Sequence, residues 1–170
     1  SRVVLGLMSG TSLDGLDIAL CEVKGSHFDT EIRLLHGETI PFTDAFRAEI
    51  RKVFAQPKVD MQLLCLLNPQ IALVHAEMVN ATLKKWGVNA ADVDLIGSHG
   101  QTVFHAPIRQ HQLANYPNAT LQIGDGDHLA LQTGIITISD FRQKHIAAGG
   151  EGAPLAVYGD MFLFSSSEEN

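Results

Sequence analysis

The chain has 170 residues and is 45% hydrophobic, which suits one globular domain with a sizeable core. Its formal net charge is −7 and its few basic residues are scattered, so we expect no nucleic-acid partner. No apolar stretch reaches the length of a membrane span and the N-terminus lacks a signal-peptide pattern, which predicts a soluble, cytoplasmic protein without a membrane partner. Cys21 and Cys65 each lie in an apolar periodic segment, which predicts two buried free thiols.

The first feature in chain order is a glycine-rich turn between two apolar runs, residues 3–5 and 16–21. Strand, small polar turn and strand together predict a hairpin. We expect Gly10 and Gly15 to adopt positive φ, and the hydroxyls and exposed amides of the turn to bind an anion such as phosphate. Neither the Walker nor the Rossmann fingerprint is present, and an ordinary glycine-rich hairpin is the alternative.

A third strand over residues 31–40 and two helices follow. Thr43 is the expected N-cap of the first helix, and the second helix begins after Asp60 and ends at Gly87. Proline at position 69 is expected to break or restart the second helix, because it lacks the amide hydrogen. His75 fits a core histidine better than a metal or ligand contact, because no partner with ligand spacing accompanies it.

A short buried strand over residues 93–96 is expected to lead into a polar loop at residues 97–102. Ligands of α/β sheets gather outside the carboxyl ends of strands, so His99 and Gln101 are candidate hydrogen-bond partners of a polyol. A tight turn whose histidine caps neighbouring backbone groups is the alternative. His99, His105 and His111 are spaced six apart, which matches no zinc-ligand pair.

The last third of the sequence predicts a strand at residues 120–123, a helix capped by Asp127 that ends at Gly134, and a strand at residues 135–139. The last strand delivers Asp140 and Arg142 to its carboxyl end. On the same side of an extended segment, these two side chains can orient a sugar hydroxyl and an anionic substituent. An internal ion pair is the alternative.

Five motifs together resemble the anhydro-N-acetylmuramic acid kinase family. They occur in family order across essentially the whole chain, and they are Met8-Ser9-Gly10-Thr11-Ser12-Leu13-Asp14-Gly15, Gly97-Ser98-His99-Gly100-Gln101-Thr102-Val103, Leu121-Gln122-Ile123-Gly124-Asp125, Asp140-Phe141-Arg142 and Gly149-Gly150-Glu151-Gly152-Ala153-Pro154-Leu155.

The resemblance implies an α/β fold of the actin-like ATPase (ribonuclease H-like) type, with a mixed sheet that opens with three consecutive strands. It also implies that ATP phosphorylates O6 of 1,6-anhydro-N-acetylmuramic acid while water opens the anhydro bridge, in peptidoglycan recycling. The implied partners are ATP and the amino sugar, and homodimer formation is left open. We expect residues 1–164 to be the N-terminal lobe of a two-lobe kinase and residues 165–170 to be a linker or truncated edge.

Carried over by position, the resemblance assigns the nucleotide-binding hairpin to Gly10, Thr11, Ser12, Leu13, Asp14, Gly15, Leu16 and Asp17. The implied sugar-binding residues are Ser98, His99, Gly100, Gln101, Asp140 and Arg142. Mg²⁺ is the expected metal ion, and Asp14 is its candidate ligand, through water. Asp140 is the candidate base among these residues, although the family comparison points to a base beyond Asn170, so Asp140 is first a sugar-binding residue.

Two residues depart from the family pattern, Glu151 in place of a common Gln and His145 in place of an acidic residue. Fold alone does not fix function, so two other interpretations stay open. One is a non-catalytic nucleotide-binding module of the actin-like fold, and the other is a different small-molecule kinase of that fold. A scaffold has no evident need for the polar loops around both His99 and Asp140.

Overall fold

A computed structural model of the chain describes residues 1–164, and the linker expected at residues 165–170 lies outside the described part. In chain order the elements are β1 (Arg2–Ser9), β2 (Gly15–Lys24), β3 (Glu31–Pro41), α1 (Asp44–Arg51), α2 (Met61–Trp86), β4 (Leu95–Ala106), α3 (Ile108–His111), β5 (Ala119–Ile123), α4 (Gly126–Thr133), β6 (Thr137–Ile138), α5 (Arg142–Ala147) and α6 (Ala156–Phe164).

The sheet is mixed and has the strand order β3-β2-β1-β4-β5, with β6 paired to β4. The first three strands run antiparallel in succession, while β4 lies parallel to β1 and β6 lies parallel to β4. β5 pairs antiparallel with the second half of β4. The predicted α/β class is confirmed: the mixed sheet opens with three consecutive strands and is flanked by helices.

The core lies between one face of the sheet and the helices α1 and α2. Along β2, Leu16, Ile18 and Leu20 are buried, and along β1, Leu5 and Leu7 are buried while alternate residues are not. This alternation is typical of strands with one face on a core. The helices α1 and α2 contribute Ile50, Leu67, Ile71, Val79 and Leu83 to the core, and Val53 joins it from the turn after α1.

The two helices begin where the sequence predicts, but the expected break at Pro69 is wrong. Thr43 caps α1 by accepting from the amide of Phe46, and Asp60 caps α2 by accepting from the amide of Leu63. α2 continues through Pro69 to Gly87, whose φ of 70° ends it. Proline removes one helical hydrogen bond, at the carbonyl four residues earlier, and that residue is the exposed Cys65, where water can replace the bond.

Residues 97–102 are part of β4 rather than the predicted loop. Gly100 has a φ of 69°, and the register between β1 and β4 shifts just before Gln101. A bulge of this kind bends a strand without ending it. A Cβ at position 100 would lie 2.7 Å from the carbonyl oxygen of Ile123, so glycine is required where β4 meets β5.

The helix α4 is capped by Asp125 and not by Asp127. Asp125 accepts from the amide of His128 at 2.8 Å, and Gly134 ends the helix with a φ of 71°, as predicted. The following strand is shorter than expected, because only Thr137 and Ile138 pair with β4.

The thiols differ from the prediction at one position. Cys65 is exposed on α2, so the expectation that it is buried is wrong, while Cys21 is half-buried in β2. Among the helices of residues 1–164, none combines the length and apolar character needed to cross a membrane.

Candidate functional site

The candidate site lies along the edge of the sheet where the parallel strands deliver their carboxyl ends. The hairpin turn follows β1, Asp140 follows β6, and between them β4 carries His99 and Gly100. Ligands bind at this edge in open α/β sheets. Two of the predicted segments, the hairpin and the Asp140 segment, are therefore brought to one side of the molecule.

The hairpin turn presents its polar residues to solvent and buries its apolar ones. Thr11, Ser12, Asp14 and Asp17 are exposed, whereas Leu13 is 3% exposed and joins the core. Gly15 and Leu16 are also buried, and the Leu16 side chain packs in the core. Within the described chain, the amides of Thr11 and Ser12 have no backbone partner, which leaves them free to bind an anion.

The positive φ of the turn falls on Leu13, at 56°, and not on Gly10 or Gly15. The expectation for those two glycines is therefore wrong, and each has another role. A Cβ at Gly15 would lie 2.4 Å from the carbonyl oxygen of Ile40, so β2 and β3 need glycine there. A Cβ at Gly10 would meet only ordinary contacts with the side chains of Met8 and Ser12, so the fold does not require glycine at position 10, and its missing side chain leaves the turn less crowded.

The carboxylate of Asp14 stands at the end of this turn. The Ser12 hydroxyl donates to its Oδ1 at 2.6 Å, and this bond, together with backbone amides, holds the pKa of Asp14 below its usual value. The carboxylate is therefore ionised at neutral pH and offers hard oxygen ligands, which suit Mg²⁺. Within residues 1–164 no group of three or more His, Cys, Asp or Glu side chains forms a metal-binding cluster.

Gln101 is fully buried and forms hydrogen bonds with the start of the hairpin turn. Its Oε1 accepts from the Ser9 hydroxyl, and its Nε2 donates to the carbonyls of Gly10 at 3.0 Å and Thr102 at 3.1 Å. The side chain thus has a protein partner for each polar atom. Its predicted contact with the sugar stays a prediction.

His99 lies beside Gln101 and is 8% exposed. Arg142 Nε donates to its Nε2 at 2.9 Å, and its Nδ1 lies 2.9 Å from the Gly100 carbonyl oxygen and 3.2 Å from that of Ser9. Burial is the main cause that lowers the pKa of His99, and the nearby Arg142 charge acts in the same direction. The imidazole is therefore neutral at pH 7, with both nitrogens bonded within the protein.

Arg142 is not on an extended segment with Asp140, contrary to expectation, because it starts the helix α5. Its Nη1 donates to the carbonyl of Gly152. No ion pair joins Asp140 to Arg142 in residues 1–164, so the alternative of an internal ion pair is also wrong. The reason is geometric: Asp140 has a φ of 55°, and the chain turns between the two residues.

A polar cleft of about 320 Å³ lies between β4, β5 and the Asp140 segment. It contains four of the predicted sugar-binding residues, Ser98, His99, Gly100 and Asp140, whereas Gln101 and Arg142 do not line it. The size falls at the lower end of the range for small-molecule sites. The pKa of the Asp140 carboxyl is raised, and burial is the cause of the shift.

The cleft also has wall residues that the sequence analysis did not select. They are Asn68, Gln122, Ile123, Gly124, Asp125, Gly126 and Ser139. Asn68 lies inside α2, and its Oδ1 accepts from the amide of Gly124 at 2.8 Å while its carbonyl accepts from the amide of Asp125 at 3.2 Å. Asparagine is disfavoured in helix interiors, so the presence of Asn68 directly before Pro69 in a predicted helix is the sequence signal that could have indicated its place in the cleft wall.

The glycine-rich loop at residues 149–152 closes the other side of Arg142. Glu151 pairs with Arg109 on α3, with Nε 3.0 Å and 3.1 Å from the two carboxylate oxygens. His145 accepts from the amide of Gly152 at 3.1 Å. The two residues that depart from the family pattern therefore both hold this loop.

The fold and this edge define an α/β lobe with an exposed polar hairpin turn on one side of the edge and a polar cleft on the other. The family model for "Anhydro-N-acetylmuramic acid kinase" matches residues 2–170. The chain belongs to the anhydro-N-acetylmuramic acid kinase family.

Relatives with that name include one from Pseudoalteromonas atlantica, 57% identical over the whole of this chain and 42% of its own length. Another, from Caldanaerobacter subterraneus subsp. tengcongensis, is 41% identical over 99% of this chain and 42% of its own length. The chain thus spans less than half the length of these relatives. A solved RuvC structure from Thermus thermophilus aligns with a TM-score of 0.39 and 14% identity, over 95% of this chain and 77% of that one, and supports no inference.

Proposed function

We propose that the chain is the N-terminal lobe of a kinase that transfers the γ-phosphoryl group of ATP to O6 of 1,6-anhydro-N-acetylmuramic acid, while water opens the anhydro bridge. This reaction belongs to peptidoglycan recycling and, because it consumes ATP, to the cytoplasm. The observation that supports it best is the shared sheet edge, where an exposed turn with free amides lies beside a polar cleft. Membership of the family supplies the substrate class.

In this proposal the amides of Thr11 and Ser12 bind the phosphate groups of ATP, and the missing side chain at Gly10 leaves the amides accessible to them. Phosphoryl transfer depends mainly on positioning and charge neutralisation. Asp14 would hold Mg²⁺ through water, because hydrogen bonding keeps its carboxylate ionised. Mg²⁺ would neutralise phosphate charge there.

The cleft binds the sugar, and Asp140 accepts hydrogen bonds from its hydroxyl groups. Its raised pKa reflects a partly desolvated carboxyl, which strengthens such bonds. We assign Asp140 to sugar binding first and place the base that activates water in the longer relatives' remaining sequence. Ser98, His99 and Gly100 line the same cleft as Asp140.

The test uses the full-length protein with ATP and the anhydro sugar. The expected product has the mass of the substrate plus one phosphoryl group and one water, since phosphorylation accompanies hydrolysis. A product without the added water would support a different small-molecule kinase. Nucleotide binding without any turnover of sugars would support the non-catalytic module.

The role of Asp140 is tested with Asp140→Asn in the same protein at saturating ATP. Loss of a hydroxyl-binding charge raises KM for the sugar with a smaller change in kcat. A base would instead lose about 10²–10⁴-fold in kcat with little change in sugar affinity, and that result would contradict the assignment.

A further inference from the structure

The bonds between Arg142 and His99 connect the two halves of the candidate site. From the glycine-rich loop, the Gly152 carbonyl accepts from Arg142 Nη1, and Arg142 Nε then donates to His99 Nε2 at 2.9 Å. From His99, Nδ1 reaches the Ser9 carbonyl at 3.2 Å, at the base of the hairpin turn. We call this chain of contacts, Gly152–Arg142–His99–Ser9, the bridge.

The hydrogen-bond network assigns the tautomer of His99. An arginine guanidinium has donors only and keeps its protons, so His99 Nε2 must be the acceptor. The ring proton therefore lies on Nδ1, where the carbonyls of Ser9 and Gly100 accept it. Each group in the bridge thus has one permitted role, and the imidazole has one orientation.

We infer that Arg142 and His99 are positioning residues, whose side chains hold the anion-binding hairpin in place relative to the cleft; His99 lines the cleft but has no ring nitrogen left to bond the sugar. Three observations support this inference. Both nitrogens of His99 are bonded within the protein, Arg142 does not line the cleft, and the bridge ends on Ser9, next to Gly10 of the turn. The inference rests on the proposed function only for the identity of the ligands.

A second set of hydrogen bonds, next to the bridge, holds the base of the hairpin. Gln101, which follows Gly100, accepts from the Ser9 hydroxyl and donates to the Gly10 carbonyl. Ser9, His99 and Gln101 are all buried, so these bonds do not compete with bulk water. A displacement of Arg142 would therefore reach the turn through His99 and the bulge of β4.

The test compares Arg142→Gln with Arg109→Gln in the full-length protein. Both arginines contact the glycine-rich loop, but only Arg142 contacts His99, because Arg109 pairs with Glu151. A non-hydrolysable ATP analogue is titrated without sugar. We expect about tenfold weaker binding to Arg142→Gln, as for the loss of a charge-assisted hydrogen bond, and little change for Arg109→Gln.

If Arg142 contacts only the sugar, the variant raises the sugar KM and leaves the affinity for the ATP analogue unchanged, which overturns the inference. Equal weakening by Arg109→Gln also overturns it, since general loosening of the loop would then suffice. Arg142→Lys keeps one donor but not the two-pronged geometry, and we expect intermediate binding. The double variant Arg142→Gln/His99→Gln should bind the ATP analogue no more weakly than the weaker-binding of the two single variants, because both substitutions break the same bridge.

A readout without any ligand separates this inference from the proposed function. ¹⁵N spectroscopy of the imidazole nitrogens, assigned by the loss of one set of signals in His99→Gln, should show the proton on Nδ1 in the wild type. A proton on Nε2 overturns the bridge even if the kinase reaction is found. If the protein binds no nucleotide, the proposed function fails. The imidazole spectrum, together with amide hydrogen exchange of the hairpin in Arg142→Gln, still tests whether the bridge holds the hairpin.

Discussion

Asp140 combines two features that each cost stability. Its φ of 55° lies in the left-handed region, which non-glycine residues rarely adopt, and burial raises the pKa of its carboxyl. Strain of this kind persists where the surrounding structure over-determines it and is concentrated at functional sites. At the scale of one residue, these two costs are additional support for a ligand-binding role.

His75 is the residue whose protonation affects folding most clearly. It is 2% exposed, its Nε2 has no hydrogen-bond partner within residues 1–164, and burial lowers its pKa from 6.5 to about 4. A histidine with a lowered folded pKa contributes stability above its unfolded pKa, which is lost as pH falls toward the folded one. Between pH 7.5 and pH 5 the free energy of unfolding should fall by about 2 kcal/mol from this group.

Replacing His75 with Phe keeps a ring stacked on Phe42, whose plane lies 9° from that of the imidazole, and removes the titration. We expect H75F to lose that part of the pH dependence in urea unfolding. His36→Phe is the matched control, because His36 is exposed and also stacks on an aromatic ring, that of Trp86. The same slope in H75F and the wild type would show that another group, such as His99, is responsible.

At the scale of elements, the two glycines of the hairpin should respond in opposite ways. Gly10→Val introduces a side chain beside the free amides where the chain itself has space, so we expect folding to be kept and ATP-analogue binding to weaken at least tenfold. Gly15→Ala brings a Cβ against the Ile40 carbonyl and should destabilise the fold by about 1–3 kcal/mol. Thermal unfolding and nucleotide titration of the full-length variants measure both effects.

Unchanged nucleotide affinity and turnover in Gly10→Val would identify the hairpin as an ordinary structural turn, the alternative noted from the sequence. A stable, nucleotide-binding Gly15→Ala would show that β2 and β3 can separate there without cost.

The helix α2 supports the cleft through Asn68. Its side chain satisfies the amide of Gly124, so Asn68→Ala should cost about 1–2 kcal/mol and weaken sugar binding. Asn80→Ala is the matched control on the same helix, because Asn80 donates to the Gln132 carbonyl at the other end of α4, in an exposed position. We expect that control to change the free energy of unfolding by about 0.5 kcal/mol or less. Equal effects of the two variants on sugar affinity would exclude a specific role for Asn68.

Local patterns predicted the elements whose signals lie close together in sequence. The caps at Thr43 and Asp60, and the end of α2 at Gly87, depend on residues within one helical turn. The predictions that were wrong concern elements whose ends depend on contacts with residues far away in sequence. β4 continues past Gly97 because β5 pairs with it, and α2 continues through Pro69 because its buried residues pack on the core.

The site shows the same division between near and distant partners. The hairpin and Asp140 segments could be selected as candidates from the sequence because each carries its own motif. Arg142 and His99 are 43 residues apart, and Asn68 and Gly124 are 56 apart, so no local pattern indicates either contact. The position of the positive φ, on Leu13, follows from burial of its side chain in the core and not from a preference of leucine.

At the scale of the whole molecule, the chain spans 42% of the length of its relatives. We expect the isolated chain of 170 residues to release no ADP with the anhydro sugar, because the hairpin alone cannot enclose ATP or exclude water. Coupled-enzyme detection of ADP, with the full-length protein as the positive control, measures this. Sustained sugar-dependent release from the isolated chain would contradict a two-lobe mechanism.

The different environments of the two thiols make the protein suitable for labelling with a single fluorophore. Cys65 is exposed, whereas Cys21 is half-buried and burial raises the pKa of its thiol. The thiolate is the form that reacts with maleimides, so a dye should attach to Cys65 first. Cys65 lies one helical turn before Asn68 of the cleft wall, and a dye there would change its emission when a ligand or a second lobe closes over the cleft.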